Sequence, residues 1–360
     1  MTPGRRSFFV ALGAWTVLPL AACGGSKTGP TPNAPQITCP AAPDPVASLD
    51  GSAQVVSFPA PTVTAGQPPL HTSCIPASGS SFTIGTTTVT CTTSDADART
   101  ASCSFEIVVL PPPMLSVTSF VAFGDSITWG EDGTNSANAV GPHVFVQLPQ
   151  GQRYPDILQQ ELQARYRQQQ VSVMNAGCPG EFLNTLPANT PEFNDKCYGI
   201  RQDDPSALRR FTTIASLRQF DAVLFMEGSN DANMAAADSL VLGSAIGSLR
   251  TMIDTAKGSG MRVIVATIPP MVPPGIPDRT VGAAIVPTYN DTVRALAASE
   301  AAPLADVYQA FGSDAPSLIG FDGLHPTPAG YQRIADTFLA MIKSSLETTP
   351  TTARAARVRR

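Results

Sequence analysis

The chain has 360 residues, of which 43% are hydrophobic, a length and composition that suit about two folded domains. Its 23 basic and 28 acidic residues give a net charge of −5, so it lacks the strongly basic balance of nucleic-acid-binding proteins, and we expect no nucleic-acid partner. The 34 prolines and 28 glycines cluster near the N-terminus and at residues 111–113, and these clusters predict linkers.

The first 23 residues have the pattern of an export signal. A pair of arginines precedes an apolar stretch of 13 residues, which is too short to span a membrane. The stretch closes with Leu20-Ala-Ala-Cys23, which resembles a bacterial lipoprotein signal and implies acylation of Cys23; a plain signal peptide is the alternative. We expect an exported protein of the cell envelope, lipid-anchored at Cys23 and facing the periplasm or cell surface, with residues 24–36 as a flexible linker. The arginine pair leaves open whether export is by a general or a twin-arginine route.

Export determines how the seven cysteines are interpreted, because thiols outside the cytoplasm tend to pair. If Cys23 carries the lipid, six cysteines remain. Four of them lie between residues 39 and 103, and the other two, Cys178 and Cys197, lie far downstream. This distribution predicts two disulfide bonds in one domain and a third, between Cys178 and Cys197, in another.

Residues 37–110 contain short β-prone runs. In the last of these, residues 103–109, apolar and polar side chains alternate with the period of a strand that has one buried face, which predicts a small all-β sandwich. The segments Ile37-Thr-Cys-Pro40, Phe82-Thr-Ile-Gly-Thr-Thr-Thr-Val-Thr-Cys91 and Ala101-Ser-Cys-Ser-Phe105 resemble the hyalin-repeat (HYR) module, an immunoglobulin-like sandwich. The resemblance implies a role in adhesion or spacing and no catalysis.

The four cysteines of this module allow three pairings. We expect Cys39 to pair with Cys91, and Cys74 with Cys103. A zinc site is the competing interpretation, and it is disfavoured because the chain has no CxxC pair and His71 is the only histidine in the module.

Three prolines follow the sandwich and predict a stiff linker over residues 111–115, before a second domain over residues 116–346. The residues after it form a basic tail, 347–360, which we expect to be disordered. In the second domain, β-type runs alternate with helical patterns. The predicted strands are 120–123, 171–174, 222–226, 262–267 and 303–307, and the predicted helices are 154–168, 205–217, 238–257, 288–298 and 328–346. This alternation predicts a three-layer α/β/α fold with a parallel sheet, whose functional site lies beyond the carboxyl ends of the strands.

Polar residues follow the strands at the predicted edge. Gly124-Asp-Ser126 follows the first strand, Asn175-Ala-Gly177 the second and Gly228-Ser-Asn230 the third, while Asp322 and His325 precede the last helix. Gly-Asp-Ser alone is a common loop sequence, but the ordered set is specific. Of the three histidines, His325 is the one that has a carboxylate at close fixed spacing.

In this order the stretches resemble the GDSL or SGNH hydrolase family, which has a flavodoxin-like fold. The first block matches Gly124-Asp-Ser-Ile-Thr128, the third Gly228-Ser-Asn-Asp231 and the last Asp322-Gly-Leu-His-Pro326. The second block is a single glycine, for which Gly177 is the best match and Gly180, in the same loop, is the alternative.

The resemblance implies a role for each residue. Ser126 would attack the acyl carbon, His325 would take and return the proton, and Asp322 would orient the imidazole. The backbone amides of Ser126 and Gly177 and the side chain of Asn230 would bind the oxyanion. No metal or other cofactor is implied, since a single histidine poorly supports a two-metal phosphoesterase.

We therefore expect an exported, lipid-anchored, monomeric serine esterase of the GDSL esterase/lipase or carbohydrate acetylesterase type, which hydrolyses carboxylic esters through an acyl-enzyme. Acetylated glycans, lysophospholipids, short acyl esters and thioesters all suit a site built from loops. The alternative from another class is a cell-surface adhesion protein that binds through the HYR module and has an inactive hydrolase domain.

Overall fold

The computed structural model describes residues 33–135, 146–183, 206–234 and 240–348. The predicted signal with Cys23, most of the predicted linker 24–36 and most of the predicted tail lie outside these ranges. Within them, no helix combines the length and the apolar character that crossing a membrane requires.

The described residues up to Leu110 contain eight strands and no helix. The two longest, β7 and β8, bury alternate residues, including Val89 and Cys91 of β7 and Phe105 and Ile107 of β8. The alternation predicted for residues 103–109 is thus confirmed. The strands are β1 (Gln36–Thr38), β2 (Val46–Ala47), β3 (Gln54–Val56), β4 (Thr62–Thr64), β5 (His71–Ile75), β6 (Ser80–Phe82), β7 (Gly85–Ser94) and β8 (Thr100–Leu110).

The disulfide pairing that we predicted for this region is wrong. Cys39 is bonded to Cys103, and Cys74 is bonded to Cys91. The physical reason lies in strand register, because β5 and β7 are antiparallel and place Cys74 directly opposite Cys91. The spacing of the cysteines along the chain does not reveal which residues of two paired strands face each other.

The remaining described residues form an α/β fold, as predicted. Its parallel sheet has the order β11-β10-β12-β13-β14, which is the flavodoxin-like order. The strands are β9 (Met114–Leu115), β10 (Ser119–Gly124), β11 (Ser172–Gly177), β12 (Ala222–Met226), β13 (Arg262–Ala266), β14 (Leu304–Ala305) and β15 (Glu347–Thr348). The helices are α1 (Ser126–Trp129), α2 (Tyr154–Arg165), α3 (Ala207–Ser216), α4 (Ser229–Met234), α5 (Leu240–Gly258), α6 (Thr280–Ser299), α7 (Val307–Phe311), α8 (Ala315–Leu318) and α9 (Pro328–Leu346).

The sheet has an apolar core on both of its faces. All residues of β12 and all but the first of β10 are buried, as expected for central strands covered by helices on both sides. The rings of Phe123, Phe211 and Phe225 pack edge to face, and the rings of Tyr154 and Phe338 stack between α2 and α9. This packing fixes the positions at which β10 and β12 end.

The short strands β9 and β15 pair antiparallel at the two ends of the α/β unit. Glu347 of β15 accepts hydrogen bonds from Arg165 Nε (2.8 Å), Arg165 Nη2 (2.9 Å) and Tyr166 Oη (2.7 Å). We predicted Met114 and Leu115 as linker and Glu347 and Thr348 as disordered tail, and both predictions are corrected, because backbone pairing and these side-chain contacts order the four residues. The rest of the predicted tail lies outside the described residues.

The two disulfides should stabilise the protein unequally. They close loops of different length, with sequence separations of 64 for Cys39–Cys103 and 17 for Cys74–Cys91. Loop-closure entropy predicts losses of about 4 kcal/mol and about 3 kcal/mol for the two double Cys→Ser variants, measured by denaturant unfolding of the β region. Non-reducing peptide mapping checks the pairing itself, and a peptide that joins Cys39 to Cys91 would contradict it.

Candidate active site

Ser126 lies at the carboxyl end of β10, where the chain turns sharply into α1. Asp125 caps this helix and accepts a hydrogen bond from the amide of Ile127 (2.9 Å). At Gly124, an added Cβ would lie 2.1 Å from Thr128 Oγ1 and 2.2 Å from the carbonyl oxygen of Met226, so a side chain cannot be accommodated. The turn therefore requires glycine immediately before the acid and the serine.

The side chains of Ser126, His325 and Asp322 form a continuous chain of contacts. Ser126 Oγ lies 2.8 Å from His325 Nε2, and His325 Nδ1 contacts Asp322 Oδ2. The other carboxylate oxygen of Asp322 accepts from the amides of Leu324 (3.0 Å) and His325 (2.9 Å). Although 199 residues separate the serine from the histidine, the fold brings a hydroxyl, an imidazole and a carboxylate together in the order that acyl transfer requires.

Burial and charge act in opposite directions on these two titrating groups. Burial by itself lowers the pKa of His325, but the hydrogen bond with Asp322 and the negative charges of Glu131 and Asp322 outweigh it, so the pKa is raised overall. For Asp322, burial acts to raise the pKa, but the hydrogen bond and charge of His325 and two backbone amides leave it lowered. Asp322 is thus ionised near neutral pH, and His325 keeps its proton to a higher pH than a free histidine does.

The amide of Gly177, which we predicted as an oxyanion donor, has another hydrogen-bond acceptor in the structure. This amide donates to Asn175 Oδ1 (2.9 Å) and so is already engaged. Gly177 instead permits close packing, because an added Cβ would lie 1.9 Å from the backbone nitrogen of Trp129. Gly180, the alternative in the same loop, has a φ of +76°, and among the hydrogen bonds of the described residues none uses the amide of Gly180 or of Ser126.

Asn230 lies in the first turn of α4, directly after β12, and its side chain is half-buried. Its carboxamide Nδ2 donates to the carbonyl oxygen of Glu181 (2.8 Å). A carboxamide nitrogen carries two N–H groups, so this contact fixes the side chain and leaves a second donor. The loop that contains Gly180 and the end of β12 are thereby joined.

A further residue at this site, Glu131, was missed by sequence reasoning. It is fully buried, and its Oε2 lies 3.2 Å from His325 Nε2, the nitrogen that also contacts Ser126. No block of the family resemblance contains it. The available signal was an acidic residue that follows the nucleophile closely and so belongs to the same strand-end turn.

A buried ion pair holds the strand ends and the adjacent loop together. Arg210 of α3 donates through Nε to Glu181 Oε1 (2.7 Å), and its Nη2 contacts Glu181 Oε2. The same guanidinium donates to the carbonyl oxygens of Ala176 (2.7 Å) and Gly124 (3.2 Å), at the ends of β11 and β10, and lies over the ring of Phe123. Bidentate pairing of this kind satisfies both buried charges and fixes their geometry.

Three further carboxyl groups are buried near the strand ends. Burial raises the pKa of Asp125 despite its hydrogen bonds from Ser229 and Ile127. Burial and the charges of Asp125 and Glu181 raise the pKa of Glu227 well above its usual range, and burial raises the pKa of Asp231 to about 7 despite a hydrogen bond from the amide of Leu183. The described residues contain no group of three or more His, Cys, Asp or Glu side chains that could hold a metal ion.

The third disulfide bond that we predicted joins a described residue to one that lies outside the described ranges. Cys178, in the loop after β11, takes part in a disulfide bond. Cys197, which we predicted as its partner, lies outside the described residues, so this pairing stays a prediction.

A family model for the GDSL-like lipase/acylhydrolase family matches residues 122–333, more than half of the chain. The chain belongs to this family. Membership makes it an ester hydrolase of the GDSL type, and the matched range contains Ser126, Asn230, Asp322 and His325. A second model, for the HYR domain, matches residues 31–109, in agreement with the module predicted at 37–110.

Solved structures of esterases are also similar to part of the chain. Est24, a carbohydrate acetylesterase from Sinorhizobium meliloti, is 17% identical and has a TM-score of 0.49, with 63% of this chain and 99% of that one covered. An aryl esterase of M. smegmatis is 18% identical, with the same TM-score and coverage. A lipase/acylhydrolase from Enterococcus faecalis is 21% identical with a TM-score of 0.47, and covers 64% and 97% of the two chains. No curated protein matches the sequence.

Removing the charge of Arg210 should destabilise the protein strongly. Arg210→Met leaves the buried carboxylate of Glu181 without its ionic partner, and we expect a loss of about 3–5 kcal/mol in the free energy of unfolding, measured with denaturant. The double variant Arg210→Met/Glu181→Leu should recover much of this loss, because both buried charges are then absent. Arg209→Met, at an exposed position of the same helix, is the matched control. Equal effects of Arg210→Met and Arg209→Met would contradict this account of the ion pair.

Proposed function

We propose that this protein is a serine esterase that hydrolyses carboxylic esters through an acyl-enzyme intermediate formed on Ser126. The observation that carries the proposal is the contact of 2.8 Å between Ser126 Oγ and His325 Nε2, with Asp322 on the opposite nitrogen of the ring. A serine hydroxyl is a weak nucleophile unless a base accepts its proton, and an imidazole held in this way is such a base.

Acylation follows from this geometry. Ser126 Oγ attacks the carbonyl carbon of the ester while its proton passes to His325 Nε2, and the carbonyl oxygen becomes an oxyanion. The tetrahedral intermediate collapses when the bond to the alcohol oxygen breaks and His325 returns the proton to that oxygen. Asp322 offsets the transient positive charge on the ring. Deacylation repeats the sequence with water as the attacking group, so that a carboxylic acid is released and Ser126 is regenerated.

The oxyanion is bound by three N–H donors in this proposal. They are the amides of Ser126 and Gly180 and the second N–H of the Asn230 side chain. Gly180 replaces Gly177 because the amide of Gly177 already donates to Asn175. Each donor of this kind typically lowers the barrier by roughly 3 kcal/mol, since it faces charge that develops only in the transition state.

We also propose that the protein is exported and attached to a membrane by a lipid. The basic start, the short apolar stretch and Leu20-Ala-Ala-Cys23 support export with lipid attachment at Cys23, and residues 24–36 would then tether the HYR module to a membrane surface. Disulfide bonds in the HYR module support this location, because such bonds persist in oxidising compartments.

Covalent labelling by a fluorophosphonate probe tests the nucleophile directly. We expect one labelled serine, identified as Ser126 by peptide mass spectrometry, because the reagent reacts with a serine activated by a neighbouring imidazole. Ser126→Ala should abolish both labelling and hydrolysis of p-nitrophenyl acetate. Ser172→Ala, at an exposed position of β11, is the matched control and should change neither. Absence of labelling, or wild-type turnover by Ser126→Ala, would exclude the proposed mechanism and favour an adhesive role for the HYR module.

Metabolic labelling with a radioactive fatty acid tests the anchor in a bacterial host. The wild-type chain should incorporate label and sediment with membranes, because acylation of Cys23 with more than one chain gives stable attachment. Cys23→Ala should incorporate none and retain the leader, since the acylated cysteine defines the cleavage site. Incorporation of label by Cys23→Ala would show that lipid is attached elsewhere and would contradict the proposed anchor at Cys23.

A further inference from the structure

Glu131 presents a carboxylate to the nitrogen of His325 that exchanges a proton with Ser126. Its Oε2 lies 3.2 Å from His325 Nε2, and the residue is completely buried. We propose that Glu131 is a positioning residue that binds the protonated imidazole of His325, stabilises the charge that the ring acquires when Ser126 attacks, and so sets the pH range of the reaction. This inference rests on the proposed role of His325 as the base.

The backbone of Glu131 is held by its neighbours, and these contacts fix the position from which its carboxylate reaches the ring. Its amide donates to the carbonyl oxygen of Ser126 (3.1 Å), and its carbonyl oxygen accepts from Tyr331 Oη of α9 (2.7 Å). An isolated bridge pairs it with Gln147. The same backbone segment thus carries the nucleophile and the carboxylate, and α9 holds this segment in place from the other side.

The contact between Glu131 and His325 determines which protonation state of the imidazole is favoured. A neutral ring that accepts the hydroxyl proton of Ser126 has a lone pair on Nε2, and an ionised carboxylate 3.2 Å away repels that lone pair. When Nε2 carries a proton, the same distance becomes an attraction between an imidazolium and a carboxylate. Glu131 therefore favours the state of His325 that exists after Ser126 has given up its proton, and this is the differential stabilisation that lowers a barrier.

Other charged groups around the ring belong to several elements. Asp322 contacts Nδ1 from the loop before α9, and Asp125, at the start of α1, contributes a further acidic group whose charge acts on the ring. Arg279, buried at the start of α6, donates to the carbonyl oxygen of Asp322 (3.1 Å), and its positive charge partly offsets those of Asp322 and Glu131. Tyr331 stays neutral, because burial raises its pKa well above the usual range. Among these groups, Glu131 is the carboxylate that lies against Nε2.

The sign of the pH effect follows from this arrangement. The base must be neutral to accept a proton, and a neighbouring negative charge raises its pKa, so activity falls as the pH drops through that raised value. Removing the charge of Glu131 lowers the pKa of His325 and extends activity to lower pH. It should also lower kcat on the neutral plateau, because the imidazolium formed during attack loses its carboxylate contact at Nε2.

Histidine NMR of the full chain tests this proposal without any turnover. The chain has three histidines, and His71 in β5 is exposed and serves as an internal reference. In a Ser126→Ala background, Glu131→Gln should lower the pKa of His325 by about one unit and leave that of His71 unchanged. Asp132→Asn, which removes the same charge from the adjacent residue, is the matched control and should shift the pKa of His325 much less. An unchanged His325 in Glu131→Gln, or equal shifts in the two variants, would overturn the proposal.

If Glu131→Gln does not fold, a second variant, Glu131→Asp, tests the same proposal. Glu131→Asp keeps the charge but withdraws it by one methylene, and should lower the pKa of His325 by an intermediate amount. In the active enzyme, the acidic limb of kcat/KM for p-nitrophenyl acetate should move to lower pH in the same order, with Glu131→Gln furthest. The order of these midpoints distinguishes an electrostatic role from general damage, which lowers activity without moving the limb. The NMR result stands even if fluorophosphonate labelling shows that Ser126 is not the nucleophile.

Discussion

The geometry of the strand ends depends on the hydrogen bonds that the buried guanidinium of Arg210 makes. It donates to the carbonyl oxygens of Gly124 and Ala176, where β10 and β11 end, and pairs with the carboxylate of Glu181 in the next loop. The carbonyl oxygen of Glu181 in turn accepts from Asn230, which follows β12. One cation therefore ties together three strand ends and the loop that contains Gly180. Placement of the nucleophile therefore depends on contacts in the interior of the protein.

The interior near the strand ends holds several acidic side chains, and their surroundings divide them into charged and neutral groups. Asp322 has hydrogen-bond donors and an imidazole as partners, and its pKa is lowered. Glu227 is buried near other acids, and its pKa is raised well above the usual range, which favours its neutral form. Neutral carboxyl groups cost far less to bury than ionised ones, so the fold can tolerate the charges of Asp322 and Glu181, which have partners. The field at His325 thus comes from a few carboxylates that keep their charge.

Much of the architecture could be predicted from periodicity, because buried parallel strands are continuous apolar runs; the third strand, residues 222–226, was predicted to the residue. Helix α6 begins at Thr280, whereas the predicted helix begins at residue 288. Pro287 lies inside α6, and a proline in a sequence usually indicates the start of a helix, so the prediction began after it. The residues brought together around Ser126 followed from motif order. The engaged amide of Gly177 could not be predicted from sequence, because competition for a hydrogen bond leaves no spacing signature. Glu131 lies close to Ser126 in the chain, but its contact with His325 forms through space, and no spacing predicts it. The predicted pairing of the cysteines was wrong because strand register decides which cysteines face each other, and the spacing of cysteines along the chain does not reveal that register.

The ribbon of β9 and β15 has a mechanical consequence. The two strands are antiparallel and pair Met114 with Thr348 and Leu115 with Glu347, so the chain enters and leaves the α/β unit side by side. A force that pulls Met114 and Thr348 apart loads the two residue pairs of the ribbon one after the other and not simultaneously. Once they open, Glu347 is drawn from Arg165 and Tyr166, and the end of α9 becomes the next element under load. A force on the two chain ends of the α/β unit is therefore borne first by this ribbon, and after the ribbon opens by the end of α9 on one side and by the residues that lead into β10 on the other.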